Sequence, residues 1–154
     1  MRIALASDHA GFEQKQQLSH WLSEQGYEVD DFGPHSEERV DYPDYAALVA
    51  RGLAAGKADF GVLVCGTGIG MAIAANKVPG IRAANITTPE FAAIAREHND
   101  ANVIALSGRF VDLPTNKLII KAFLETSFGG GRHADRVAKI TASESKSAFF
   151  ADRK

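Results

Sequence analysis

The sequence predicts one doubly wound α/β domain, Rossmann-like or flavodoxin-like, with a five-stranded parallel sheet and a C-terminal helix. Three observations lead there. Short apolar runs alternate with stretches of helical periodicity along the chain. The 154 residues suffice for one proper core and not for two comfortable ones. No internal repeat or low-complexity linker divides them.

The elements follow in order. Ile3 to Ser7 reads as a first strand ending at Asp8. Residues 11 to 26 read as a helix with Leu18, Trp21 and Leu22 on one face and Gly26 as its stop. Tyr27 to Phe32 is a weaker strand, followed by a polar loop and Asp41-Tyr42-Pro43. Tyr45, Leu48, Val49, Gly52 and Leu53 then recur with the spacing of an amphipathic helix. Phe60 to Cys65 is the clearest buried strand; Gly66 to Gly70 form a glycine-rich turn, and Met71 to Asn76 open an alanine-rich helix. Arg82 to Ile86 is a fourth strand. Pro89 starts a helix with Phe91, Ile94 and Ala95 inward, and Val103 to Ser107 is a fifth strand. Residues 114 to 126 form a helix with Leu118, Ile119, Ala122 and Phe123 on its apolar side. After Gly129-Gly130-Gly131 a last helix begins near Ala134. The domain is expected over 1–142, with 143–154 a helix end or tail whose Phe149 and Phe150 could dock on a partner subunit.

Composition narrows the function. A net charge of −2 argues against a non-specific nucleic-acid binder. Hydrophobic residues are 45% and charged residues 23%, ordinary for a soluble globular chain. A single cysteine excludes an internal disulfide and a thiol-rich metal site, and fits a reducing compartment. The first residues lack the apolar run of a secretory signal, and no stretch has the length of a membrane span. The expectation is a cytoplasmic protein that binds neither membrane nor nucleic acid.

In an open parallel sheet, ligands bind beyond the carboxyl ends of the strands. That places Asp8 and His9, Cys65 to Gly70, Thr87 and Thr88, and Arg109 under first suspicion. In Cys65-Gly66-Thr67-Gly68-Ile69-Gly70 the glycines let backbone approach a ligand. The N–H groups at the start of the next helix favour negative charge. A thiolate among such donors can serve as base or nucleophile. A buried cysteine above a tight turn would present the same residues. The loop lacks a dinucleotide fingerprint and a Walker lysine. It also lacks the arginine that a cysteine phosphatase would need. Arg132 and Arg136, four apart, would share a helix face and suit a phosphate, or simply sit in solvent. His98-Asn99-Asp100 ends the fourth helix, where a cap and a functional element look alike.

Together these segments resemble the type B ribose-5-phosphate isomerases, a family that also includes the galactose-6-phosphate isomerase subunits. The resemblance rests on Asp8-His9-Ala10-Gly11, Asp41-Tyr42-Pro43, the Cys65–Gly70 loop, Ala74-Ala75-Asn76-Lys77, Gly80-Ile81-Arg82-Ala83, His98-Asn99-Asp100-Ala101-Asn102 and Gly130-Gly131-Arg132-His133. It spans residue 1 to about 142. It implies Cys65 as the catalytic base, His98 with Asp8 in opening the furanose ring, and Thr67 in passing a proton between sugar oxygens. The N–H groups of Gly66, Gly68, Ile69 and Gly70 would hold an enediolate. Asn99 would bind a hydroxyl, His9, Arg109, Arg132 and Arg136 the phosphate, and Tyr42 would line the pocket. It implies no metal and no cofactor, and it implies a homodimer.

Geometry adds one expectation. Helices run antiparallel to the strands here, so His98 should lie at the opposite sheet edge from Cys65, roughly 20 Å away. His98 and Asn99 would then enter the site from a second subunit of a two-fold dimer, which leaves open whether dimers pair into a tetramer. Isomerisation of a hexose or tetrose phosphate, a non-catalytic sugar-phosphate-binding subunit, and a phosphoryl carrier using Cys65 are the alternatives.

Overall fold

The computed structural model describes residues 1–145; Phe149 and Phe150 lie outside them. Five parallel strands run β1 (Arg2–Ser7), β2 (Glu28–Asp31), β3 (Phe60–Cys65), β4 (Ala83–Asn85) and β5 (Val103–Ser107). The helices between and after them are α1 (Phe12–Glu24), α2 (Tyr42–Ala54), α3 (Ile69–Ala75), α4 (Pro89–Asn99), α5 (Leu113–Glu125) and α6 (Arg132–Ala142).

Spatially the strands lie in the order β2-β1-β3-β5-β4. The last two are exchanged relative to a flavodoxin-like order. The chain leaves β3, skips one place to lay β4 at the edge, and returns to put β5 between them. A right-handed crossover that reverses direction must change faces. Accordingly α2 and α3 pack on one face, through Ala46, Val49, Ala50, Met71, Ala72 and Ala75. On the other face α1, α4 and α5 bury Leu18, Leu22, Ala92, Ala95, Ile119, Ile120 and Phe123. The alanines of α2 and α3 bring those helices close to the sheet, against Ala4, Ala6 and Ala105.

The strands are nearly continuous in apolar residues because both faces are covered. The two edge strands are the exceptions: β2 is mostly acidic and part-exposed, and β4 is only three residues long and part-exposed. On its outer side Asn76 imitates a neighbouring strand: its Nδ2 donates to the Ala83 carbonyl at 2.8 Å, and its Oδ1 accepts from the Ala83 N–H at 2.8 Å.

Several inward faces differ from expectation. On α4, Phe91 and Ile94 are exposed, while Ala92, Ala95 and Arg96 are buried. The Arg96 guanidinium lies over Phe60 and Phe123, 4.8 and 5.7 Å from the ring centroids, and bonds Asp100 and the Ala101 carbonyl. A paired, stacked arginine thus fills the place an aliphatic side chain was expected to take. Leu48 on α2 and Leu118 on α5 also face outward. Lys15 on α1 is fully buried, its Nζ donating to both Asp31 oxygens at 2.6 and 2.8 Å and to the Pro34 carbonyl at 2.8 Å. The last helix begins two residues before Ala134, at Arg132, and buries no side chain.

Candidate functional site

The direction of strand progression reverses between β1 and β3, which opens a crevice at their carboxyl ends. A cavity of about 290 Å³ sits there, lined by Asp8, His9, Ala10, Tyr42, Cys65, Gly66, Thr67, Gly70 and Arg109. Of the sequence-derived residues at the ends of β1, β3 and β5, Asp8, His9, Cys65, Gly66, Thr67, Gly70 and Arg109 come together here, while Gly68 and Ile69 are outside the lining.

Cys65 closes β3 and is almost fully buried. Its Sγ accepts a hydrogen bond from the Gly68 N–H at 3.0 Å. Gly68 takes a left-handed φ of 82°, which turns the chain sharply into α3. Thr67 is exposed, and its Oγ1 accepts from the Ile69 N–H at 3.3 Å. Behind the loop, Gly108 N–H donates to the Cys65 carbonyl at 2.7 Å and Ser107 Oγ donates to the Gly66 carbonyl at 2.8 Å. The loop is thus tied to the end of β5, and the Arg109 side chain crosses the open face of Gly66.

Asp8 follows β1, and its buried carboxylate accepts from the Gly11 N–H at 2.9 Å. Gly11 has no alternative: a Cβ there would stand 2.3 Å from the Val64 carbonyl oxygen. His9 Nδ1 lies 3.3 Å from the Val40 carbonyl oxygen and 3.4 Å from its amide nitrogen, so Val40 satisfies that nitrogen in either tautomer. Tyr42, at the start of α2, lays its ring where a side chain on Gly70 would project, 2.7 Å from that Cβ position. Cation, imidazole, carboxylate, thiol and backbone donors thus surround one opening.

A second cluster stands apart. His98 and Asn99 end α4, and the turn is closed by Asp100 at φ 46°. Asp100 receives Arg82 Nη2 and Arg96 Nη1, each at 2.7 Å. The next residues lead into β5 at its amino end, where Asn102 accepts from Gly61 N–H through its carbonyl. Gly61 pairs with Val103 and Cys65 with Ser107, so four residues of strand separate the two edges. That is roughly 13 Å along the strand before any side chain is added. One chain keeps His98 and Asn99 away from the Cys65 cavity.

Arg132 and Arg136 join His98 rather than Cys65. The first turn of α6 places the His133 ring flat on His98, centroids 4.3 Å apart and planes 7° from parallel. Desolvation, then the neighbouring His98, Arg132 and Arg136 charges, hold the His133 imidazole below the ordinary histidine range, with Glu97 opposing. In the sequence His133 stands inside the Gly130-Gly131-Arg132-His133 motif with nothing local to mark a role for it. Asn99 faces a separate, largely apolar cavity of about 260 Å³ with Asn76, Ile81, Arg82, Ala95 and Ile140. Of the sequence-derived site residues, Asn99 alone lines this cavity.

The fold and the crevice define a class: a doubly wound α/β enzyme whose pocket suits a small anionic, hydroxyl-rich ligand. The sequence profile of the Ribose/Galactose Isomerase family matches residues 3–140. The chain is 48% identical over 145 residues to the ribose-5-phosphate isomerase B of Escherichia coli K12, covering 94% of this chain and 97% of that one. It is similar in structure to the Clostridium thermocellum ribose-5-phosphate isomerase B, with a TM-score of 0.92, 49% identity, and 94% and 97% coverage. The Mycoplasma genitalium ribose-5-phosphate isomerase B with bound ribulose-5-phosphate superposes with a TM-score of 0.89 at 43% identity, over 94% and 97% of the chains. The chain belongs to the ribose/galactose isomerase family. No helix among the described residues is long and apolar enough to cross a membrane.

Proposed function

We propose that this chain interconverts ribose 5-phosphate and ribulose 5-phosphate through an enediolate, with Cys65 as the base. The observation that carries the proposal is Cys65 Sγ, held 3.0 Å from the Gly68 N–H beside a cavity that also presents Asp8, His9 and Arg109. The thiolate takes the proton from C2 of the open aldose and returns it to C1. The hydroxyl proton at O2 passes to O1 through Thr67, so the net change is one carbon-bound and one oxygen-bound hydrogen moved by one position. Negative charge grows on the sugar oxygen during the first transfer. The N–H groups of the Gly66–Gly70 turn are the donors suited to meet it, two of them already donating, Gly68 to Cys65 Sγ and Ile69 to Thr67 Oγ1. His9 and Arg109 bind the phosphate, and Tyr42 walls the pocket.

Ring opening is assigned to His98 with Asp8, and hydroxyl binding to Asn99. Because His98 and Asn99 lie at the amino edge of the sheet, the catalytic unit is a homodimer in which one subunit lends His98, Asn99, Arg132 and Arg136 to the Cys65 cavity of the other. The surface is consistent with such pairing: no side chain of α6 is fully buried within its own chain, and Ile69 and Ile73, four apart on α3, are exposed. The working compartment is the cytoplasm.

The test is ribulose 5-phosphate formation from ribose 5-phosphate, with Cys65→Ala as control. The variant should lose about 10²-fold or more, the usual worth of a positioned base. Turnover that survives in Cys65→Ala would remove the sulfur from the mechanism. A folded wild type that ignores pentose phosphate would redirect the assignment to hexose or tetrose phosphates.

A further inference from the structure

The sulfur of Cys65 faces one peptide group in particular, that between Thr67 and Gly68. Its N–H donates to Sγ at 3.0 Å. A trans peptide points its N–H and its C=O in opposite directions. The Thr67 carbonyl therefore leaves on the far side, where it accepts from Asn85 Nδ2 at 3.1 Å. The same Nδ2 donates to the Ala105 carbonyl at 3.0 Å. Both partners are carbonyl oxygens, so this end of the Asn85 side chain is its NH₂.

This peptide needs an outside lock. Turning it over would aim a carbonyl oxygen at the sulfur and repel a thiolate. Gly68 offers little resistance to such a turn, because glycine adopts both signs of φ readily. Asn85 supplies the resistance from the end of β4, and the fold has made room for it. A Cβ on Gly68 would sit 2.2 Å from Asn85 Nδ2.

We propose that Asn85 is a positioning residue: by holding the Thr67–Gly68 peptide, it keeps an N–H rather than a C=O against the Cys65 sulfur. The inference rests on the reading of Cys65 as the base. Its two hydrogen bonds leave no use for a carboxylate or an apolar side chain at this point.

Cys65 is the only cysteine of the chain, so thiol labelling reports on it alone. The experiment is the rate of iodoacetamide labelling of the full chain at pH 7 and pH 10 in wild type, Asn85→Leu and Asn85→Ser. Leucine keeps the size without donors. Serine is too short to span both carbonyls and suits an exposed strand end, so at least one variant should fold. Labelling at pH 7 should slow about five- to tenfold, within the net worth of one intramolecular hydrogen bond. At pH 10 it should stay within twofold of wild type, and kcat should fall with KM within twofold. Unchanged labelling at pH 7 would mean the N–H stays in place without Asn85 and would overturn the proposal. An equal fall at both pH values would mean altered access and would overturn it too. Labelling needs no substrate, so this result stands apart from whether the enzyme turns over pentose phosphate.

Discussion

At the scale of single residues, the site is shaped by where side chains cannot be. Gly11 lets the Asp8 turn press against β3, with no space for even one methyl before the Val64 carbonyl. Gly11→Ala should destabilise the fold by about 1–3 kcal/mol, the common cost of overpacking a backbone contact, as read by urea unfolding. It should also lower turnover by moving Asp8 away from Cys65. A variant of unchanged stability and activity would show that the turn can relax without loss. The Cys65–Gly70 loop was legible because its chemistry is written in consecutive letters. Asn85 and Lys15 were not. Asn85 meets Thr67 across 18 positions and Lys15 meets Asp31 across 16, and no local pattern encodes such a pairing.

At the scale of elements, strands and helix starts were more readable than helix faces. The three middle Pro-containing helices show why starts are legible. Pro43, Pro89 and Pro114 each sit in the first turn, where a missing N–H costs nothing. Thr88 and Asp112 cap their helices, accepting from the Phe91 and Thr115 N–H groups. The faces of α4 were misread because periodicity weighs hydrophobicity, whereas packing here rewards the small Ala92 and Ala95 and the stacked Arg96. Asp112 permits a test at this scale. Hydrogen bonds from the Thr115 side chain and backbone hold its carboxyl below the ordinary value of 3.8. A carboxyl lowered by folding adds stability above its unfolded value and loses it as pH falls through the folded one. The melting-temperature gap between wild type and Asp112→Asn should therefore be constant from pH 8 to about pH 5 and close below about pH 3. A gap that persisted in acid would assign the cap's effect to something other than ionisation.

At the scale of the whole molecule, the separation of two clusters was legible in advance, because a helix that follows a strand must end at the opposite edge. The structure bears out that separation within one chain. The exchange of β4 and β5 was not legible, since strand order depends on which crossover the loops permit. Complementation tests the proposed dimer. Cys65→Ala and His98→Ala chains, each inactive alone, should recover about a quarter of wild-type activity once mixed one to one and allowed to exchange. Half of the dimers would then be mixed, and each would hold one intact site of two. No recovery after mass spectrometry confirms exchange would place the whole reaction within one chain. Whatever the pairing, the Asn76 side chain limits its form. Its amide already occupies the outward N–H and C=O of Ala83, so a visiting strand would find that docking rail taken. Two copies meeting on this flank must fit side chain to side chain, as finite bodies do, and cannot extend one sheet into the next to grow a ribbon.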